Sequence, residues 1–323
     1  SGSNRPTYFV TLGDVDGDGI LDLLSANYFN GSDSDGTVSV LLGQGDGTFR
    51  AHQDYMVGKQ SFDIALGDVD GDGDLDALSA NRKDGTISVL FNQGDGTFAG
   101  RVDYKVGDNP YALSLGDVDG DGYLDVMSAD LGSTTSVLLG RGDGTFITTR
   151  NYLVGKNPNS LVLGDLDGDG DLDAVSTLRS GHAVVVLLSN GDATFAAKRY
   201  YATDRDTQSL RLGDVDNDGD LDVVTLNKSG GSSWLWSPRH SVSVLLNNGD
   251  GTFAARKDYQ VGENADSLVL GDVNGDGDLD ILSTGWKQGS TGQIVHQIYV
   301  IGNNGDGTFF MLHVSSLPKS PQS

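Results

Sequence analysis

The sequence contains no cysteine, which removes disulfides, cysteine-ligated zinc and thiol catalysis together. Basic residues are scarce: 21 Lys and Arg stand against 46 Asp and Glu, a formal charge of −25. Nucleic acid and anionic membrane surfaces need a basic patch to meet phosphate, so neither is expected as a partner. No apolar run approaches the roughly 20 residues of a membrane-spanning helix, so no membrane insertion is expected. No signal peptide is read in the sequence, and Ser1-Gly2-Ser3 reads as a cloning scar, which leaves open that a leader or further domains were cut away. Histidine is sparse and scattered, at His52, His182, His240, His296 and His313, and neither GxSxG nor HExxH occurs. The chain is therefore expected not to be an enzyme, although a carboxylate pair outside the motifs below stays open.

What is present is repetition. The nine residues DLDGDGDLD from Asp165 to Asp173 have close copies beginning at Asp14, Asp68, Asp117, Asp214 and Asp272. Acidic side chains fall at positions 1, 3, 5 and 9, with glycine at 6 and usually at 4, which is how a short loop wraps oxygen ligands around a hard cation. Of those 24 positions, 23 are Asp and one is Asn274, so half of the acidic residues sit in the loops. Such acidity can mark disorder, but 37% hydrophobic and 8% aromatic residues in evenly spread runs supply a core.

A second motif fixes the register: GQGDGTF, NQGDGTF, GRGDGTF, SNGDATF and two copies of NNGDGTF end at Phe49, Phe98, Phe146, Phe195, Phe253 and Phe309. Each of the first five phenylalanines lies 19 residues before the next acidic loop, whereas the distance from loop to phenylalanine varies from 29 to 39. One connection is set by geometry, and another is free to grow. In the fourth repeat, Ser160–Leu163, Leu172–Thr177, Ala183–Leu188 and Phe195–Tyr201 read as strands A to D. Strands A and C look apolar on both faces. Strand D carries charge (Lys198-Arg199, Arg256-Lys257, Arg101 and Lys105), as an exposed edge does, so D is expected outermost and A innermost.

Four strands per repeat, six times, predict an all-β β-propeller of six four-stranded blades, or seven if a blade has been cut away. Blades are expected to begin near 8, 61, 111, 160, 208 and 266 in one domain over 1–314, followed by a tail at 315–323. The chain starts in a strand A at Tyr8–Leu12 and ends in a D-like strand at Phe309–Val314. The first and last blades would then meet through side chains without an exchanged strand.

An EF-hand would need Glu at position 12 and flanking helices; Ser25, Ser79, Ser128, Ser176, Thr225 and Ser283 stand there, and the flanks are strands. With GDVDGDGILD, GDVDGDGDLD, GDVDGDGYLD, GDLDGDGDLD, GDVDNDGDLD and GDVNGDGDLD, each followed by a GDGTF-type turn, the chain resembles the FG-GAP or VCBS repeat family, which includes the propellers of integrin α subunits. The resemblance implies about six structural Ca2+ ions. They would be held by side chains at positions 1, 3, 5 and 9 and a backbone carbonyl at position 7. These are Asp14, Asp16, Asp18, Ile20 and Asp22; Asp68, Asp70, Asp72, Asp74 and Asp76; Asp117, Asp119, Asp121, Tyr123 and Asp125. The later loops supply Asp165, Asp167, Asp169, Asp171 and Asp173; Asp214, Asp216, Asp218, Asp220 and Asp222; Asp272, Asn274, Asp276, Asp278 and Asp280. Position 9 is expected to bind through both oxygens, and Asn274 to weaken the sixth site. Weakly selective calcium loops are best filled outside the cell, so an extracellular or cell-surface location is expected.

Calcium loops and GDGTF turns share one end of each blade, so a partner is sought at the other, where repeats one, five and six carry longer B–C loops. Those loops hold Tyr28, Phe29, Trp234, Trp236 and Trp286, candidate ligand-binding residues for a protein or a glycan. Alternatively these aromatics cover blade edges or plug a central channel. His240, His296 and Arg239 nearby read as incidental, as does the Arg141-Gly142-Asp143 tripeptide, whose counterparts carry Gln or Asn for the arginine. The expected role is extracellular recognition or adhesion by a monomer or one module of a longer chain. The alternatives are a domain of a secreted carbohydrate-active or hydrolytic enzyme, and a passive spacer.

Overall fold

Short apolar runs bounded by Asp/Gly turns form strands throughout the chain. The structure, a computed structural model, describes residues 7–28, 35–228, 239–288 and 293–316. Among the described residues there is no helix, and 24 strands make six four-stranded antiparallel sheets, each in simple up-and-down order. Sheet 1 comprises β1 (Thr7–Gly13), β2 (Asp22–Asn27), β3 (Asp35–Leu41) and β4 (Gln53–Lys59). Sheet 2 has β5 (Ser61–Gly67), β6 (Asp76–Asn81), β7 (Thr86–Asn92) and β8 (Phe98–Lys105), and sheet 3 has β9 (Pro110–Gly116), β10 (Asp125–Asp130), β11 (Thr134–Gly140) and β12 (Phe146–Leu153). Sheet 4 contains β13 (Pro158–Gly164), β14 (Asp173–Leu178), β15 (Ala183–Leu187) and β16 (Arg199–Ala202). Sheet 5 contains β17 (Asp206–Gly213), β18 (Asp222–Lys228), β19 (Arg239–Leu245) and β20 (Lys257–Glu263). Sheet 6 closes the series with β21 (Val269–Gly271), β22 (Asp280–Gln288), β23 (Ile294–Asn303) and β24 (Phe309–Ser316). The strand starts at 7, 61, 110, 158, 206 and 269 follow the repeat register read from the sequence.

The second strand of each sheet begins at position 9 of its acidic loop, so the loop is the A–B hairpin itself. One expectation needs correcting: the strands buried on both faces are B and C, not A and C. All six residues of β6 and of β10 are buried, and all five of β15. Strand A, which has a single hydrogen-bonded neighbour, mixes buried and half-buried residues in β5, β9 and β13, and only in the first and last sheets are Val10, Leu12 and Val269 more than half exposed (58%, 56% and 51%). Strand C, in turn, is not wholly apolar, since Ser39, Ser88, Ser136 and Ser243 are buried along it.

By packing, the chain falls into two compact units, one running to Leu163 with Ser189–Thr194 added, the other comprising Gly164–Leu188 and the chain from Phe195 onward. Within each unit, hydrophobic cores lie between successive sheets. Leu24, Val38 and Val57 of sheet 1 pack with Ile64, Leu90 and Phe98 of sheet 2, and Val224, Val244 and Val261 of sheet 5 pack with Ile281, Ile301 and Phe309 of sheet 6. Adjacent sheets approach closely where strand A ends. A Cβ on Gly67 would lie 2.8 Å from Leu115 of the next sheet, and one on Gly213 would lie 2.9 Å from Leu270, so glycine is needed there by close approach.

Candidate metal centres

Each acidic loop is built by its own carboxylates. In the first, Asp14 accepts from the backbone N–H groups of Asp18 (3.1 Å) and Gly19 (2.8 Å), and Asp18 accepts from that of Ile20 (2.8 Å). Gly17 and Gly19 sit at φ +70° and +83°, the left-handed conformation that lets so short a loop close on itself. Position 9 is more deeply set. Asp22 accepts from the Val15 N–H (2.8 Å) with one oxygen and from the Gly43 N–H (2.7 Å) with the other, joining the loop to the start of the C–D hairpin. The same bridge recurs at Asp76, Asp125, Asp222 and Asp280.

The carboxylates converge. Ligand oxygens of Asp14, Asp16 and Asp18 lie within 4.8 Å of one another, and the same holds for Asp68, Asp70 and Asp76; Asp117, Asp119 and Asp125; Asp165, Asp167 and Asp173; and Asp214, Asp216 and Asp218. These five groups lack a sixth-loop counterpart among the described residues. There the Asn274 side-chain amide donates to Asp276 (2.8 Å), turning a donor into the loop where the others place an oxygen. Position 7 has no side chain among these groups. Its N–H donates to the position 5 carboxylate (2.8–3.0 Å), and where its side chain is acidic, as at Asp74, Asp220 and Asp278, it lies against a turn glycine: Gly94, Gly249 or Gly305.

Two observations test whether the loops suit a cation. One oxygen each of Asp16, Asp167 and Asp216, all at position 3, is buried with no hydrogen-bond partner, an unfavourable state for a carboxylate oxygen unless something positive meets it. The carboxyls of Asp16, Asp70, Asp119, Asp167 and Asp216 are raised by burial and by the negative charge of neighbouring loop carboxylates. Burial pushes Asp76, Asp125 and Asp222 up to about 6. An all-oxygen, acidic donor set of this kind fits a hard divalent cation.

The turns that follow are tied into the neighbouring loop, which the sequence pattern alone does not disclose. In sheet 2 the Asn92 side-chain amide donates to the carbonyls of Val15 (2.8 Å) and Leu75 (3.0 Å), one in the preceding sheet's loop and one in its own; Asn247 and Asn303 repeat this pair of bonds. The turn phenylalanine meets a tyrosine on strand D of the preceding sheet edge-on: Tyr55–Phe98 at 5.4 Å, Tyr104–Phe146 at 5.2 Å, Tyr201–Phe253 at 5.1 Å and Tyr259–Phe309 at 5.4 Å. The signal in the sequence is a tyrosine at a fixed place after the turn phenylalanine in the first five repeats: Tyr55, Tyr104, Tyr152, Tyr201 and Tyr259.

A second recurrent cluster was missed because its members look like ordinary strand polar residues. In sheet 2, Asn81 donates to Thr86 (3.1 Å) and Ser88 (2.8 Å), and Ser88 donates to Asp103 (2.6 Å). Sheets 1 and 5 repeat it with Asn27, Ser39 and Asp54, and with Asn227, Ser243 and Asp258. Sheet 3 exchanges the two ends: the acid is Asp130, which accepts from Ser128 (2.8 Å), Thr134 (3.0 Å) and Ser136 (2.6 Å), and Asn151 pairs with Ser136 on strand D. Burial pushes Asp130 up to about 6.

Of the candidate ligand-binding aromatics, Phe29, Trp234 and Trp236 lie outside the described residues. Tyr28 is half-buried at the end of β2, edge-on to Phe62 at 6.4 Å, and Trp286 is half-buried in β22 opposite His296. His240 is buried, with Nδ1 3.0 Å from the Ala265 carbonyl, and burial lowers its pKa.

Six up-and-down sheets, each with an acidic loop in its first hairpin, define a β-propeller-like repeat domain. The chain belongs to the FG-GAP-like repeat family, whose pattern matches residues 14–79, 68–128, 117–176, 165–225 and 233–283. No curated protein sequence matches the chain significantly. In fold it is similar to a functionally unknown protein from Desulfotomaculum acetoxidans, with a TM-score of 0.60 at 12% identity, over 97% of this chain and 90% of that one. It is also similar to the V. cholerae biofilm matrix protein Bap1, with a TM-score of 0.51 at 13% identity, over 98% of this chain and 61% of that one.

Proposed function

We propose that this chain is a calcium-stabilised, non-catalytic propeller that serves extracellular recognition or adhesion. The observation that carries the calcium reading is the buried, partnerless oxygen at position 3 of three separate loops, each inside a cluster of carboxylates. Positions 1, 3, 5 and 9 would hold one Ca2+ per loop with the position 7 carbonyl, giving about six ions, with the sixth site the weakest because Asn274 replaces an acid. The ions would neutralise the loops and staple each A–B hairpin to its C–D turn. In this reading they are structural.

Closure of the six sheets into one ring over 1–314 is part of the proposal. It is supported by the family and by the tie of the turns at Asn92, Asn247 and Asn303 to the preceding sheet's loop. Adhesion is supported by the family and by the presence of the same fold in a biofilm matrix protein. Protein or glycan would bind at the ends opposite the calcium loops, through Tyr28, Phe29, Trp234, Trp236 and Trp286, by a monomer or one module of a longer chain. The test is a binding survey of calcium-loaded protein against glycans and extracellular matrix proteins, repeated after Trp234, Trp236 and Trp286 are changed to alanine. Binding lost in the variant supports recognition through these loops; binding that is unchanged assigns it elsewhere, and no binding by either protein favours a spacer.

A further inference from the structure

At the end of sheets 1–3 opposite the acidic loops, the first residues of successive A strands build an aromatic cluster around Phe62. That ring is 5% exposed and contacts Phe9 (centroids 5.4 Å apart), Tyr111 (4.0 Å) and Tyr28 (6.4 Å). The Arg82 guanidinium, just past the end of β6, stacks over both Phe62 (5.1 Å) and Tyr111 (5.4 Å). Phe9 is 38% exposed, and Tyr28, Tyr111 and Arg82 are half-buried, so the cluster is open on one side.

What sets Arg82 apart is that no acid pairs with it among the described residues. Other part-buried arginines have one: Arg101 lies on Asp103 (2.6 Å) and Arg256 on Asp258 (3.0 Å). Arg82 has no such pair among the described residues, and its Nε is buried without any hydrogen-bond partner, in a chain with 46 acidic side chains to choose from. Attraction to the faces of two rings holds the cation at the cluster without using its donors. A carboxylate is the group that a guanidinium's planar fork binds through two parallel hydrogen bonds.

We infer that Arg82, with Phe9, Tyr28, Phe62 and Tyr111, forms a binding site for a sugar bearing a carboxylate, the acid docking on the guanidinium and the pyranose ring lying against the open side of the aromatic cluster. A net charge of −25 opposes a polyanion, so the ligand carries a single acid, as a terminal uronic-type sugar does. The site is independent of the tryptophan-bearing loops and stands even if these bind nothing.

The probe is methyl glucuronide, compared with methyl glucoside and with N-acetyl-aspartate amide, by ligand-observed NMR titration of calcium-loaded protein. The expected result is saturable glucuronide binding at least ten-fold tighter than glucoside, weakened ten-fold or more in Arg82→Gln with an unchanged melting temperature, and retained after Trp234→Ala and Trp236→Ala. Equal response to glucuronide and glucoside overturns the inference whether or not the variant folds, as does Arg82→Gln binding like the unaltered protein. Tighter binding of the aspartate derivative would show a site for acidic peptide and overturn the sugar assignment.

Discussion

At the residue scale, the position 9 aspartates hold most of the local structure. Asp222 accepts from the Val215 N–H (2.9 Å) and the Asn247 N–H (2.8 Å), both out of contact with water. Replacing it by alanine orphans both donors, and the expected loss is about 2–4 kcal/mol on the scale of unsatisfied buried groups, read from the urea midpoint. Asp130 makes the opposite case. In the folded chain burial holds its proton to about pH 6, whereas the unfolded carboxyl loses it near its ordinary value of 3.8. The stability it contributes is therefore complete below pH 3.8 and is lost as pH rises through 6. Asp130→Asn, the side chain found at the matching Asn27, Asn81 and Asn227, is expected to be more stable than the natural chain by about 1–3 kcal/mol at pH 7.5 and no more stable at pH 4, by linkage. Urea melts of the two proteins at the two pH values check it; a gain of equal size at both pH values would assign the effect to packing.

At the scale of elements, the unit is a sheet locked to its predecessor. Its turn phenylalanine meets the preceding strand D tyrosine, and the hydrophobic cores lie between sheets rather than within one. A single sheet has no core of its own, which is why the family works by repetition. Phe146 is 8% exposed and packs on Tyr104, so Phe146→Ala is expected to cost about 3–5 kcal/mol, the range for truncating a buried aromatic. The urea midpoint should fall with little change in slope. The acidic loops and the GDGTF hairpins were legible in the sequence because their residues are dictated locally, by left-handed glycines and by carboxylates capping backbone N–H groups. The exchange of acid and amide between Asp130–Asn151 and Asn81–Asp103 was not, because it concerns partners on three different strands. The burial of strand A is not legible either: its apolar residues suggest two fully covered faces, but how far a face is covered depends on the sheet packed against it, and in β5, β9 and β13 buried residues are mixed with half-buried ones.

At the scale of the whole molecule, cation binding and folding are coupled. A ligand that binds only the folded chain at one hundred times its dissociation constant stabilises it by about 2.7 kcal/mol per site, and several loops of similar build add. Excess chelator is expected to lower the melting temperature markedly, and calcium to restore it; calorimetry should resolve about six sites with one weaker than the rest. An unchanged melt with chelator would sink the calcium reading. Asn274→Asp should bring the weak site level with the others.

By itself the sequence determined the repeat number, the strand register and the oxygen-rich loops, since each is set by residues within ten or so of one another. Only the tertiary structure decided which oxygens are left without partners, which tyrosine meets which phenylalanine, and that Arg82 lies over aromatic rings from two sheets with no acid paired to it among the described residues. Those facts depend on packing between residues far apart in the chain, where spacing along the sequence carries no information.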